Sequence, residues 1–445
     1  MTDEGDAEFA EEVERQLAPA STTLGRLQRG RGEGWLELLR LEHGQAQEML
    51  WECIVFDPRF DRQVESRAGY YADLAQLIGF DPRALLPECC PPQARWTFPL
   101  FMDVLGELDA RLIPFAADVL LAHVERGDRW DDAIAELSTA SPATLSRLPP
   151  VLIERFDGQQ LTDISMRWDA ELPWDIWAES HPEIRNAIAQ RSSAQKAHEF
   201  VVPPSMHASA AVLLGFAWQG KIPRRLVHRL TQMSRPGERE LIIRACWQTS
   251  GSVRIPFDIL GRLDDPGGIA AAAMILERNQ PGAQLGAAHR YISTLSAVHT
   301  LDIARRWIEL SDSRSSAAGM VFAQHAEVID IPMMRHRLDQ TWNERDYYGM
   351  CHMIEALARF VEQGPFEELP AMFEEVEYSY ARGVLARTLA DTDPSFGRTL
   401  ARSALWDCES ETRSIAASAV DSKNDAEVRD RVAQILLEAS SEIAR

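Results

Sequence analysis

Apolar residues recur at helical spacing along most of the chain. One stretch shows the i, i+3, i+4, i+7 pattern that turns an apolar stripe toward a neighbouring helix. The positions of this stripe are Leu112, Phe115, Ala116, Val119, Leu120 and His123. Runs of alternating β-branched or aromatic residues bounded by turn dipeptides, which indicate strands, are missing. The pattern predicts an all-α chain.

Short Asp-Pro pairs divide this helical pattern. Aspartate caps a helix and proline fits its first turn, so these pairs are expected to stop or start helices. The pairs are Asp57-Pro58, Asp81-Pro82, Asp265-Pro266 and Asp393-Pro394.

At 445 residues the chain exceeds the size of a single hydrophobic core. Many medium helices joined by short loops favour a solenoid of stacked helix pairs, although two helical domains fit the same pattern.

Three segments share the pattern Glu-x-Arg-x-x-(small or branched)-Ala, at residues 183–189, 411–417 and 427–433. The pattern indicates a helix start with an acid in its first turn. Its small residues are expected where the next helix approaches closely. A bulky residue at Ala433 should then cost about 1–3 kcal/mol through overpacking.

At these residues the sequence resembles HEAT-like and leucine-rich-variant helical repeats, whose second helix often opens with an Asp-Pro-x-Val-Arg-x-x-Ala stretch. Residues 425–429 correspond to it, with Ala426 where the family pattern has proline. The resembling windows are 172–200 and 394–440. The resemblance implies an α-α superhelix of stacked helix pairs. It also implies a scaffold whose concave face grips another protein, since only a minority of such proteins are enzymes or bind nucleic acid.

Composition and charge narrow the classes of partner. Hydrophobic residues make up 45% of the chain and charged residues 26%, which is typical of a folded protein. The formal net charge of -22 repels phosphate backbones and anionic lipid surfaces, which argues against nucleic acid and membrane partners. The first residues lack the basic and apolar regions of a signal peptide, and a cytoplasmic location is expected.

The apolar rhythm lapses between residues 192 and 204, which predicts a boundary there. We expect an acidic, partly disordered end at residues 1–20, an N-terminal helical-repeat region at 21–200 and a C-terminal one at 205–445. The oligomeric state is left open by the sequence.

Two clusters are candidates for binding a partner. The first is Trp168, Trp174 and Trp177 among acidic residues, which could hold an arginine or aliphatic side chain. The second is Arg224, Arg225 and Arg229, in a basic segment that continues to Arg235, Arg239 and Arg244. The alternatives are that the tryptophans are core and that the arginines pair with neighbouring repeats. Six glutamates between residues 362 and 377 could face a basic partner or solvent.

No motif for catalysis, a cofactor or a metal ion emerges. The glycine-rich residues 30–34 follow no strand and are interpreted as a loop. The charged stretch 57–67 is interpreted as structural, with Glu65 and Arg62 supporting an exposed helix. Cys89-Cys90 is interpreted as a loop feature without a thiolate-stabilising setting. The spacing of His325, His336, Cys351 and His352 is not that of a zinc finger.

The sequence therefore favours a non-catalytic helical-repeat scaffold that binds another protein, with a basic protein among the candidate partners. One alternative is a HEAT-like nucleic-acid enzyme such as a DNA glycosylase, with Arg224, Arg225, Arg229 and Arg244 lining a groove. Another is an immunity or regulatory partner of a basic toxin or effector, toward which the negative charge would steer association.

Overall fold

A computed structural model describes residues 17–90, 100–168, 171–196, 212, 214, 224–232, 237–247, 253–280, 282–422 and 425–443. Within these ranges every regular element is helical, which confirms the predicted all-α fold class. No helix in this part of the chain is long and apolar enough to cross a membrane.

Contacts group the chain into two compact units. The joined unit combines residues 12–200 with residues 375–383 and 396–445. The described residues of the central unit fall within 201–374 and 384–395. The regions predicted from the sequence, 21–200 and 205–445, are each continuous, whereas these units combine separate segments. Contacts between early and late segments are long-range, and no local pattern encodes them.

The helices are numbered in chain order. In the joined unit these are α1 Thr23–Gln28, α2 Gly32–Leu38, α3 His43–Val55, α4 Ala68–Ile78, α5 Leu100–Ala110, α6 Ala116–Arg126, α7 Trp130–Leu137, α8 Pro142–Leu145, α9 Leu148–Arg155, α10 Gly158–Arg167, α11 Trp174–Ser180 and α12 Pro182–Lys196. In the central unit these are α13 Arg224–Thr231, α14 Glu238–Ala245, α15 Arg254–Arg262, α16 Ile269–Arg278, α17 Ala283–Thr294, α18 Ala297–Trp307, α19 Ser313–His325, α20 Ile331–Glu344 and α21 Tyr347–Ala358. Residues of both units contribute to α22 Leu369–Glu375 and α23 Ser379–Thr392. The joined unit ends with α24 Ala401–Ala404, α25 Ser410–Ala419 and α26 Ala426–Ile443.

Short 3₁₀ helices lie between these elements at Pro82–Leu85, Pro87–Cys89, Pro266–Gly268, Val328–Asp330, Val361–Gln363 and Phe396–Arg398. Three of the Asp-Pro pairs precede such a helix as predicted. Their aspartates, Asp81, Asp265 and Asp393, each accept a hydrogen bond from the backbone N–H two residues later. Asp57 follows the end of α3 as predicted but caps no helix, because no helix begins between residues 57 and 67. Its carboxylate is paired with Arg59 instead, at 2.8 Å from Nε and 2.7 Å from Nη2.

The predicted apolar stripe is correct only from residue 116 onward. Its buried members all lie on α6, namely Ala116, Val119, Leu120 and His123. Leu112 and Phe115 are instead 79% and 45% exposed and have φ angles of 58° and 72°. Pro114 explains the difference, because proline disfavours helical geometry at the residue before it. The helix therefore begins after the proline.

Helices of the central unit pack as successive pairs. Each of α15, α17, α19 and α21 contacts the helix that precedes it, and these four second helices also contact one another in succession. They begin at Arg254, Ala283, Ser313 and Tyr347, so successive starts are 29, 30 and 34 residues apart. One row of second helices therefore runs through residues 254–358.

The C-terminal ends of α17, α19 and α21 lie side by side. His325 Nε2–H donates a hydrogen bond to the Leu295 carbonyl oxygen at 3.1 Å, just after α17. Arg359 Nη1 donates to the Ala326 carbonyl oxygen at 3.1 Å, just after α19. Both bonds satisfy carbonyl groups that a helix end leaves without an intrahelical partner. The turns after successive second helices are thereby held next to one another.

An arginine–aspartate pair recurs with a sequence separation of 25 or 26 residues. The pairs are Arg239–Asp265, Arg305–Asp330 and Arg382–Asp407, with Nε–Oδ distances of 2.5, 2.8 and 2.6 Å. Each aspartate also accepts a backbone N–H in its own turn. Each arginine thus ties its helix to a turn about one helix pair later in the chain.

Candidate functional site

The tryptophan candidates lie mostly in the core of the joined unit. Trp174 and Trp177 of α11 are 2% and 5% exposed, and their rings meet edge to face with centroids 5.3 Å apart. Trp174 Nε1–H donates to the Trp168 carbonyl oxygen at 2.9 Å. Burial removes Trp174 and Trp177 from any partner-binding surface and favours the core interpretation. Trp168 itself is half-buried.

The basic candidates divide in a similar way. Arg224 and Arg225 begin α13, and their side chains lie outside the described residues. Arg229 is 5% exposed, and its Nη2 lies 2.6 Å from Glu238 Oε1. This contact argues against a role for Arg229 in binding a partner, because its guanidinium is buried and paired within the fold.

Two of the six glutamates between residues 362 and 377 are also paired internally. Glu368 accepts hydrogen bonds from Arg335 Nε and Nη2 at 2.8 and 3.0 Å. Glu377 accepts one from Arg29 Nη2 at 2.7 Å. The remaining members are exposed, namely Glu362, Glu367, Glu374 and Glu375.

The charged stretch 57–67 is not an exposed helix, and several of its charged side chains are buried. None of its residues is helical, and Glu65 pairs with Arg67 instead of Arg62. Glu65 and Arg67 are 2% and 0% exposed, with 2.7 Å between Oε1 and Nη2. Arg67 Nη1 also donates to the Gln28 carbonyl oxygen. The expectation of an exposed helix was wrong because charges close in sequence do not reveal that distant segments will cover them.

Ser379 connects this ion pair to the late part of the chain. Glu65 Oε1 accepts hydrogen bonds from the Ser379 backbone N–H at 2.9 Å and from its hydroxyl at 2.6 Å. Burial by itself raises the pKa of Glu65. Arg67 and the Ser379 hydrogen bonds outweigh it, so the pKa lies below its usual range. Glu65 is therefore a fixed anion.

A second buried ion pair holds the turn before α2. Arg382 Nε lies 2.6 Å from Asp407 Oδ2, and Arg382 Nη2 donates to the Arg29 carbonyl oxygen at 2.8 Å. The Cys408 N–H donates to the Gly30 carbonyl oxygen at 2.9 Å. Gly30 has a φ of +66°, and a Cβ there would overlap the Cys408 side chain. Late residues therefore clamp this turn.

The glycine-rich residues 30–34 are a loop only in part. Gly30 and Arg31 lie outside any helix, as predicted, whereas Gly32 already begins α2. The loop prediction was therefore wrong for residues 32–34. Burial and then the charge of Arg382 lower the pKa of Arg31 to about 10. Arg31 Nη2 donates to the Val376 carbonyl oxygen at 3.2 Å, so its guanidinium is engaged within the fold.

The side chains that join early and late segments form one buried network, defined by Glu65, Arg67, Ser379, Arg382 and Asp407. Each of its charged side chains is 2% exposed or less, so a substrate in solution does not reach it. Paired charges that satisfy one another can join two segments, because separating them strands a charge away from water. The network therefore suits a structural role.

Among the described residues, most cysteines are buried and the metal-ligating side chains do not cluster. No group of three or more His, Cys, Asp or Glu side chains there could hold a metal ion. Four cysteines are buried, namely Cys53, Cys246, Cys351 and Cys408. Burial, followed by Cys89 and Glu88, raises the pKa of Cys90 to about 12. This agrees with the predicted lack of a thiolate-stabilising setting.

The central unit exposes aliphatic side chains shortly after α17, α19 and α21, in the first turn of α18 and in the 3₁₀ helices Val328–Asp330 and Val361–Gln363. Val298 is 84% exposed, Val328 57%, Ile329 77% and Val361 47%. Single exposed aliphatic residues are ordinary on protein surfaces. Here, however, they occupy corresponding positions after three successive second helices, whose ends are held side by side by hydrogen bonds. We call Val298, Val328, Ile329 and Val361 the aliphatic edge.

Sequence reasoning missed the aliphatic edge. The detectable signal is a β-branched residue three or four positions after each of α17, α19 and α21, at a spacing close to that of the helix pairs. The segments chosen from the Glu-x-Arg pattern lie elsewhere in the chain. The regular row of second helices carries no such motif.

Comparisons with known proteins add no family to this description. No protein-family model matches the chain, and neither a curated protein nor a solved structure matches it significantly.

Proposed function

We propose that this chain is a non-catalytic, HEAT-like helical-repeat scaffold that binds another protein through the aliphatic edge. The observation that carries the proposal is the exposure of aliphatic side chains shortly after three successive second helices whose ends are hydrogen-bonded to one another. Apolar groups arranged along a repeat edge gain free energy when a partner removes them from water. A scaffold of stacked pairs presents such groups at regular intervals.

Several features of the central unit support the repeat assignment. The second helices α15, α17, α19 and α21 contact in succession and begin about one helix pair apart. The recurring arginine–aspartate pairs tie one helix pair to the next turn. In an α-α superhelix every pair makes equivalent contacts with its neighbours. We therefore assign the pairs of the central unit to such a superhelix.

A basic protein is the partner class favoured by charge. The chain carries a net charge of -22, and Arg229, which a nucleic-acid groove would need, is paired with Glu238. These observations weaken the alternative of a nucleic-acid enzyme. An immunity or regulatory partner of a basic toxin or effector is a narrower form of the same proposal.

Affinity capture of the tagged full-length chain from a lysate of its native cells tests the proposal. We expect a stoichiometric protein partner that is lost from a Val298→Asp, Ile329→Asp variant. The matched control is Leu436→Asp, Leu437→Asp, because these leucines of the joined unit are also exposed, at 56% and 72%. Enrichment of nucleic acid, or the absence of any stoichiometric protein, would contradict the proposal.

A further inference from the structure

We infer that the aliphatic edge receives an extended, basic segment of its partner in polyproline II conformation, with an aliphatic side chain at every third residue. The inference rests on the proposed function and adds the conformation, spacing and charge of the bound segment. It follows from the spacing of the turns and from the charges around them.

Spacing indicates the conformation of the segment. Packed helices lie about 8–10 Å apart, so neighbouring turns of the edge repeat at about that distance. A polyproline II segment rises about 3.1 Å per residue with three residues per turn, so every third side chain lies on one face about 9 Å further along. Val298, Ile329 and Val361 can therefore meet three consecutive aliphatic side chains of one such segment. A β-strand is a poorer match, because its side chains alternate between two faces with period two.

The charges around the aliphatic edge indicate which residues of the bound segment lie between its aliphatic side chains. Asp302, one helical turn after Val298, has a side chain that is 90% exposed, and that of Glu327, beside Val328, is 62% exposed. Arg305 is shared among Asp302 at 3.2 Å, Glu327 at 2.7 Å and Asp330 at 2.8 Å. One guanidinium thus faces three carboxylates, and the surface keeps net negative charge. Lysine or arginine in the bound segment would complement it.

Three further charged side chains lie on or next to the helices that carry the edge. Glu362 is exposed directly after Val361, and Arg306 is an exposed base on α18. Arg359 is a base beside the last turn, but its Nη1 donates to the Ala326 carbonyl oxygen. Carboxylates therefore remain the main charged groups beside the aliphatic side chains.

Two other occupants fit these charges less well. Phosphate backbones would meet Asp302, Glu327 and Glu362 and be repelled. A second copy of this chain would bring another net charge of -22 to a surface that is already acidic. A basic protein segment satisfies both the apolar and the charged groups.

A synthetic peptide tests the inference directly. The probe is a fluorescein-labelled peptide of repeated Leu-Lys-Pro units, which favours polyproline II, places leucine at every third residue and carries positive charge. Its binding to the full-length chain is measured by fluorescence anisotropy. Control peptides of repeated Ser-Lys-Pro and Leu-Glu-Pro units remove the aliphatic groups and reverse the charge.

We expect the Leu-Lys-Pro peptide to bind the wild-type chain and both control peptides to bind at least about tenfold more weakly. Val298→Asp with Ile329→Asp should weaken binding by a similar factor, because two aliphatic contacts are lost. Leu436→Asp with Leu437→Asp should leave binding unchanged. Thermal unfolding of both double variants, followed by circular dichroism, verifies that they fold.

Absence of binding to the wild-type chain, or equal affinity for the two double variants or for the Ser-Lys-Pro peptide, would overturn the inference. The affinity capture separates this failure from that of the proposed function. If the peptide fails while a captured partner is lost only from the Val298→Asp, Ile329→Asp variant, the edge binds protein in another conformation. If no stoichiometric protein is captured, the scaffold function itself is wrong.

Discussion

The same arginine–aspartate pair occurs in two settings. In the central unit, the Arg305 side chain is 29% exposed and pairs with Asp330, which is 3% exposed. In the joined unit, Arg382 and Asp407 are 1% and 2% exposed and keep the same separation of 25 residues along the chain. The two pairs have the same local arrangement, but water reaches only Arg305. Their contributions to the free energy of unfolding should therefore differ.

The difference extends to what surrounds each pair. Arg382 also donates to the carbonyl oxygen of Arg29, which lies 353 residues earlier in the chain. The hydrogen bonds of Arg305 reach residues within 25 positions of itself, among them Asp302 and Glu327. Buried charges therefore join distant segments of the joined unit. Partly exposed charges in the central unit connect neighbouring helix pairs, next to aliphatic side chains that are exposed to solvent.

The largest expected effect comes from removing one member of the buried pair. Arg382→Met should lower the free energy of unfolding by about 3–5 kcal/mol, because Asp407 would remain as an uncompensated buried charge. The equivalent Arg305→Met should cost only about 1 kcal/mol, since water reaches Arg305 and the Glu327 backbone N–H still donates to Asp330. Urea-induced unfolding measures both values. Removing the charge of Asp407 as well, in an Arg382→Met, Asp407→Leu variant, should recover part of the loss, and equal costs for the two single variants would refute the contrast.

The next largest effect on stability is expected where the first turn of α2 packs closely against Ser403, in the C-terminal segment of the joined unit. In Gly32→Ala, the new Cβ would overlap the Ser403 carbonyl oxygen, and the expected loss is about 1–3 kcal/mol through overpacking. At Gly44, in the first turn of α3, an added Cβ would meet open space. Gly44→Ala should therefore stabilise the protein by about 0.5 kcal/mol through helix propensity. Thermal unfolding of both variants gives the comparison, and a neutral Gly32→Ala would show that the start of α2 is not tightly packed.

Two alanines of the joined unit test whether the Glu-x-Arg pattern marks places where helices pack closely. Ala433, which the sequence pattern placed at a close approach, is exposed on α26, whereas Ala416 of α25 is 0% exposed. The expectation for Ala433 is therefore wrong. Ala416→Leu should cost about 1–3 kcal/mol, and Ala433→Leu should change stability by less than about 0.5 kcal/mol. The reverse order in chemical unfolding would contradict this placement.

The smallest expected effect is a pH dependence at Glu136 in the joined unit. Burial, followed by the charges of Asp103, Glu107 and Asp132, raises the pKa of Glu136 from 4.5 to about 7. Between these values the folded state holds a proton that the unfolded state releases, so this group lowers stability as pH rises through the window.

Glu136→Gln should therefore be more stable than the wild type at about pH 8, with no difference at about pH 4. The gain should be about 1 kcal/mol, discounted because solvent partly screens the side chain. Melting temperatures across this range measure it, with the exposed Glu125→Gln as control. A constant difference at all pH values would exclude titration of Glu136 as the cause.

Local chemistry determined the helical class and many helix starts. Glu183, Glu411 and Glu427 each lie in the first turn of a helix, as the shared pattern predicted. Such features follow from apolar periodicity, capping and the helix dipole, which act within a few residues. The final alanine of the pattern does not mark a close approach of the next helix in all three segments. Helices that begin with the same pattern can pack against their neighbours through different faces.

Only the tertiary structure decided which charges are buried and which apolar groups are exposed. Glu65 and Arg67 have the sequence features of a solvated helix, yet they are covered, and Ser379 binds Glu65 across 314 positions of sequence. Val298 and Ile329 look like core residues but are exposed. Burial depends on contacts between segments far apart in the chain. Neither hydropathy nor charge spacing along the sequence specifies those contacts.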